Sequence, residues 1–193
     1  MALARPSAIS HWSAMHHHGL TEQIPRRVFV LTPLDVPVPR FRGHRDAGGA
    51  DGFSVAGTIY QFVQTKREWF FGTEQVWIGE ARVAITDPER TLLDGLSRPQ
   101  YCGDFSESLH AFEVRGERLD LSRIIDYALR LDVATAKRLG WVLEESGVLP
   151  NKLRALAGLP IVGYRNLDPS GPRRGPYNRR WMIRVNLPGR TGS

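Results

Sequence analysis

Two stretches of this 193-residue chain carry side chains with evident chemistry. Toward the C-terminus, Arg173-Arg174-Gly175-Pro176-Tyr177-Asn178-Arg179-Arg180-Trp181 sets four Arg beside two aromatic rings. A guanidinium is a planar fork that grips phosphate or carboxylate oxygens with two parallel hydrogen bonds. Gly171, Pro172, Gly175 and Pro176 predict an exposed loop here. Arg173, Arg174, Arg179 and Arg180 are therefore the candidate contacts to nucleic acid or to an acidic protein surface. A solvated basic loop entering a strand has the same composition. Near the N-terminus, His16-His17-His18 with His11 raises the question of a metal. Consecutive helical residues point about 100° apart, so the three cannot face one ion. The pairs also lack i, i+4 spacing, and the reading is a satisfied or exposed histidine cluster.

Catalytic signatures are missing from the sequence. There is no glycine-rich phosphate loop, Gly-x-Ser-x-Gly elbow or His-Glu-x-x-His helix. A metal-dependent nuclease needs clustered acids and an acid-x-Lys on neighbouring strands. Glu80-Ala81-Arg82 is the nearest match, and its Arg cannot usefully deprotonate. The expectation is a non-enzyme with no cofactor, no bound metal and no catalytic residue.

The elements that must position these residues come in groups. Ser7 is a plausible N-cap for a helix over 8–18, with Gly19 at its C′ position. Val28 to Leu31 is β-rich and stops at Pro33, and 33–52 reads as a long irregular loop. Residues 55–85 read as a β-meander, with strands at 57–65, 74–78 and 81–85 and turns at Gly72 and Gly79. A helical region follows over 87–157. Thr86-Asp87-Pro88-Glu89 opens it with a capping residue, Pro at N1 and an acid in the first turn. Leu92, Leu93 and Leu96 should face inward, and Arg90 and Asp94 stand at i, i+4, a pair worth about 0.2–0.5 kcal/mol if exposed. Leu121, Ile124, Ile125, Ala128 and Leu129 form the clearest amphipathic stripe. Asp132 can cap the next helix, which carries Leu139, Val142 and Leu143 and ends at Gly147. A late strand at 180–185 puts Trp181, Ile183 and Val185 on one face and is expected to return to the earlier sheet. Grouped rather than alternating strands and helices predict an α+β fold with an antiparallel or mixed sheet. We read 1–193 as a single domain, with a basic loop and strand at 164–190.

Charge is uneven along the chain. The formal net charge is +6, from 26 basic and 20 acidic side chains. Residues 164–193 hold seven Arg against Asp168 alone, so this segment equals the whole net charge and the rest is balanced. One cysteine, Cys102, excludes an intrachain disulfide and a thiolate zinc cluster. No apolar run is long enough for a spanning helix, and Met1-Ala-Leu-Ala-Arg-Pro lacks a signal-peptide core. A cytoplasmic protein without membrane contact is expected.

His11-Trp12-Ser13-Ala14-Met15-His16-His17-His18-Gly19-Leu20-Thr21 resembles the opening of the antitoxin domain in the AbiEi family. Thr86-Asp87-Pro88-Glu89-Arg90-Thr91-Leu92-Leu93-Asp94 is similar to that family's second signature, as are the helical stretch 121–147 and the ending Asn178-Arg179-Arg180-Trp181 with Val185-Asn186. The resemblance covers roughly residues 7–187 of the chain. It implies a bacterial antitoxin of a type IV toxin–antitoxin, abortive-infection pair, active in phage defence against a nucleotidyltransferase-type toxin. It marks Trp12, His18, Gly19, Asp87, Arg90 and Asp94 as signature residues with structural roles, and brings no catalytic residue. Family members usually carry an N-terminal winged helix that represses their promoter. The signature starts about ten residues after Met1, so the antitoxin domain without that module is expected. The alternatives are a DNA-binding (co-)repressor of its own operon, reading DNA through the Arg loop, and a degenerate nuclease-like domain.

Overall fold

The computed structural model describes residues 4–39 and 53–187. The chain forms two compact units, residues 1–91 and 92–193. It is an α+β fold with a mixed sheet. Most of the loop expected over 33–52 lies outside the described residues.

The first unit is built on six strands. Among the described residues they are β1 (Ala8–Ile9), β2 (Val28–Pro33), β3 (Phe53–Val55), β4 (Thr58–Thr65), β5 (Thr73–Ile78) and β6 (Ala81–Thr86), with helix α1 (His11–His17) between β1 and β2. The spatial order is β3-β4-β2-β1-β6-β5. β2 runs parallel to β4, from Val28 opposite Tyr60 to Pro33 opposite Thr65, and antiparallel to β1. β1 in turn lies parallel to β6. The meander expected over 55–85 is thus two antiparallel hairpins, β3–β4 and β5–β6, parted by β2 and β1. The reason is hydrophobic continuity. Phe29, Val30, Leu31 and Thr32 are all buried, and a strand buried on both faces belongs inside a sheet. The hairpin strand β5 is exposed along nearly its whole length and takes an edge.

The helix expected over 8–18 is shorter. Ala8 and Ile9 are strand residues linking the two halves of the sheet, and Ser10, not Ser7, stands at the N-cap with extended backbone. Ser7 is occupied elsewhere, its hydroxyl donating to the Ala4 carbonyl at 2.7 Å. The other end is as expected. Gly19 has φ +63°, and the Gly19 and Leu20 amides donate to His16 and Met15, a Schellman closure.

The helix α2 (Pro88–Ser97) passes from the first unit into the second. The second unit adds α3 (Phe105–Arg115), α4 (Leu121–Arg130), α5 (Val133–Glu145) and α6 (Arg154–Ala157). Local chemistry starts and stops them. Asp104, Asp120 and Asp132 accept from the amides of Glu107, Arg123 and Thr135. Gly147 at φ +85° closes α5 as Gly19 closes α1. Every residue of α5 from Thr135 to Leu143 is buried, including two bases. Such a helix is surrounded on all sides. Lys137 Nζ donates to the Ala157 carbonyl at 2.7 Å and Arg138 Nε to that of Asn166 at 3.0 Å. On α4, Ile124 and Ala128 are buried as expected, whereas Leu129 is exposed.

The chain ends in a small sheet of its own, in the order β7-β9-β8, made of β7 (Arg165–Asn166), β8 (Tyr177–Asn178) and β9 (Ile183–Arg184). This corrects the expectation that the late strand rejoins the large sheet. Its nearest partners are 165–166, parallel, and 177–178, antiparallel. A local hairpin-like pairing costs less loop-closure entropy than a return across the chain. Among the described residues, no helix is long and apolar enough to cross a membrane.

Candidate functional site

In the first unit the two signature segments meet. His18 Nε2, at the end of α1, donates to the Thr86 carbonyl at 2.7 Å, a bond between residues 68 apart in sequence. Asp87 Oδ1 then accepts from the Arg90 amide at 2.8 Å, capping α2, and the Thr86 and Thr91 hydroxyls pair at 2.8 Å. The Arg90 guanidinium donates to the carbonyls of Trp69 and Phe71 and stacks over the Phe71 ring at 4.8 Å. With 2% of its surface exposed, Arg90 fixes the segment before β5. The half-buried Trp12 ring has its Nε1 fully buried, with no hydrogen-bond partner among the described residues. His16 and His17 are exposed, and His11 is buried with Nδ1 2.8 Å from the Ser10 hydroxyl. Among the described residues, no group of three or more His, Cys, Asp or Glu is placed to hold a metal ion. Glu80 sits exposed between β5 and β6.

Burial holds the His18 imidazole below its ordinary 6.5, the Thr86 carbonyl opposing. His17 adds to the lowering, while Glu74 and Asp87 oppose it. The unfolded chain then takes up the proton more readily than the folded one. Stability therefore rises with pH across the window just below 6.5 and falls on acidification through it. His18→Gln keeps an amide donor for Thr86 and removes the titration. Denaturant curves at pH 7 and about pH 5.5 should show a smaller acid loss for His18→Gln than for the parent. Equal losses would contradict the assignment.

In the second unit the basic segment separates into two classes. Arg180 is engaged: its Nε lies 3.2 Å from Glu144 Oε1 and its guanidinium stacks on Trp181 at 5.4 Å. Trp181 is completely buried, and its Nε1 donates to Glu144 Oε2 at 2.6 Å. Arg180 is thus partly engaged with Glu144 of α5, while its side chain remains 42% exposed. Arg173, Arg174 and Arg179 are exposed, and no hydrogen-bond or ion-pair partner is seen for their side chains among the described residues. The loop bearing Arg173 and Arg174 is held in shape, and Arg179 follows β8. Asn186 Nδ2 donates to the carbonyls of Asp168 and Pro172 at 2.9 and 3.1 Å, and its Oδ1 accepts from the Asp168 amide. Gly175 has φ +118°, and a Cβ there would run into the Val185 carbonyl.

Two residues of this face, Tyr164 and Arg184, were not legible in the sequence. Tyr164 and Tyr177 have ring centroids 4.4 Å apart, and Arg184 stacks over Tyr177 at 5.1 Å while donating to its hydroxyl at 2.9 Å. The only available signal was the aromatic at 177 inside the Arg run; the pairing with 164 comes from the sheet. Asp94 is buried on α2, far from being a surface residue, and burial followed by Asp94 pushes the Cys102 thiol well up.

Among solved structures, the chain is similar to the Rv2827c protein from Mycobacterium tuberculosis, with a TM-score of 0.65 over 92% of its length. Sequence identity is 13%, so the likeness is one of fold, and this chain spans 61% of that protein. No family model matches the chain, and no curated protein matches it.

Proposed function

We propose that the chain is a non-enzymatic antitoxin domain of the AbiEi type, acting in the cytoplasm against a nucleotidyltransferase-type toxin of a type IV pair. The observation that carries this reading is the His18–Thr86 bond. Two short motifs far apart in sequence are weak evidence separately. Their meeting at one junction supports treating them as parts of one unit, with Gly19 closing α1 and Asp87 opening α2 around it. Co-expression tests it. The chain should restore growth to bacteria arrested by the nucleotidyltransferase encoded beside it, and persistent arrest with soluble chain present contradicts it.

A second reading, a DNA-binding (co-)repressor, is favoured by the ordered loop that presents Arg173 and Arg174, with exposed Arg179 in the turn after β8. Binding of operon duplex should then fall steeply with salt, and the triple Ala variant should flatten that dependence.

A further inference from the structure

We infer that the face formed by β7, β8, β9 and the loop before β8 binds single-stranded nucleic acid, stacking an unpaired base on the Tyr164–Tyr177 pair. Arg173, Arg174 and Arg179 hold the adjoining phosphates.

Four observations combine. The rings are paired with each other yet open to solvent, Tyr177 by 55% and Tyr164 by 36%, so the fold does not use them as core. Arg184 lies against Tyr177 and orients it through the hydroxyl. Arg173 and Arg174 lie within four residues of Tyr177 on a loop pinned by Asn186 and by the glycine at 175, and exposed Arg179 follows Asn178 in the turn from β8 to β9. Asp168, the one acid of the segment, is turned to the Ser170 amide at 2.8 Å. An ordered loop loses less conformational entropy on binding than a floppy one.

The chemistry selects the partner. Arginines alone would serve a phosphate backbone or an acidic protein surface equally. Solvent-open tyrosines beside them add a stacking platform, and every nucleobase has a face to lay on it. In a duplex those faces are covered by neighbouring base pairs, so an unpaired strand is the ligand that uses both features. The inference stands apart from the antitoxin reading, because growth rescue and oligonucleotide affinity are separate readouts.

Fluorescence anisotropy with the full chain tests it, using labelled oligothymidylate and oligouridylate of about twelve nucleotides. The thymidylate–adenylate duplex and poly-L-glutamate are the competitors. We expect the single strand to bind about tenfold or more tighter than the duplex, with the two labelled strands ranking DNA against RNA. Tyr177→Leu should lose about tenfold, while Tyr177→Phe, which keeps the ring, stays within about twofold. Replacing Arg173, Arg174 and Arg179 with Ala should lower the salt slope by about two. Equal affinity for the duplex, an unchanged Tyr177→Leu variant, or competition by polyglutamate as strong as by unlabelled strand would each overturn it. So would the absence of binding to either strand. Equal duplex binding would point to the repressor reading instead.

Discussion

Trp181→Ala should destabilise the protein by about 3–5 kcal/mol, the cost of emptying a fully buried indole site. Two features of the site place it at the upper end. The indole N–H is tied to Glu144, so removal also leaves that carboxylate without its donor, and Arg180 loses the ring it rests on. The ring also packs against Gly140 on α5, where a Cβ would come within 2.0–2.4 Å of the six-membered ring. Gly140→Ala is therefore expected to cost about 1–3 kcal/mol or more by overpacking, despite the better helix propensity of Ala. The two changes act on one space. The double variant should be less destabilised than the sum of the singles, since the smaller side chain at 181 relieves the clash. Urea midpoints of the four proteins measure this, and additive losses would mean that the contact does not set the packing.

Arg90→Met should cost about 2–3 kcal/mol, because two backbone carbonyls lose a charged donor, each worth about 1–3 kcal/mol when left unpaired. Trp69 and Phe71 belong to the segment between β4 and β5, where the chain leaves one hairpin and reaches the other edge of the sheet. Arg90 thus anchors the crossover that separates this sheet from a meander. Arg90→Lys keeps the charge but offers a single ammonium in place of a fork and cannot stack flat on Phe71. It should recover less than half of the loss. Denaturation of the two variants decides it, and a Lys variant as stable as the parent would show that charge alone suffices.

Local chemistry was legible in the sequence. Caps at Asp87 and Asp132 and closures at Gly19 and Gly147 act over four or five residues, and they are where the spacing put them. The buried leucines of α2 followed from periodicity in the same way. Strand order was not legible, because β1 is two residues long and its partners are near residues 30 and 85. A pair that short carries no alternation to read. In the basic tail, four Arg look alike in sequence and all four are exposed, but among the described residues Arg180 is the one seen in an ion pair. What distinguishes Arg180 is Glu144, 36 positions earlier, delivered by the buried helix α5. Trp181 looked like part of a binding loop and is core for the same reason. Tyr164 lay outside the Arg run, and only the small sheet brings it to Tyr177.

The most direct measurement of the proposed function is plating efficiency of bacteria expressing the neighbouring nucleotidyltransferase toxin, with and without this chain. The antitoxin reading predicts that the parent chain restores colony numbers by orders of magnitude and that the destabilised Trp181→Ala variant restores fewer. Equal plating with and without soluble parent chain would contradict it.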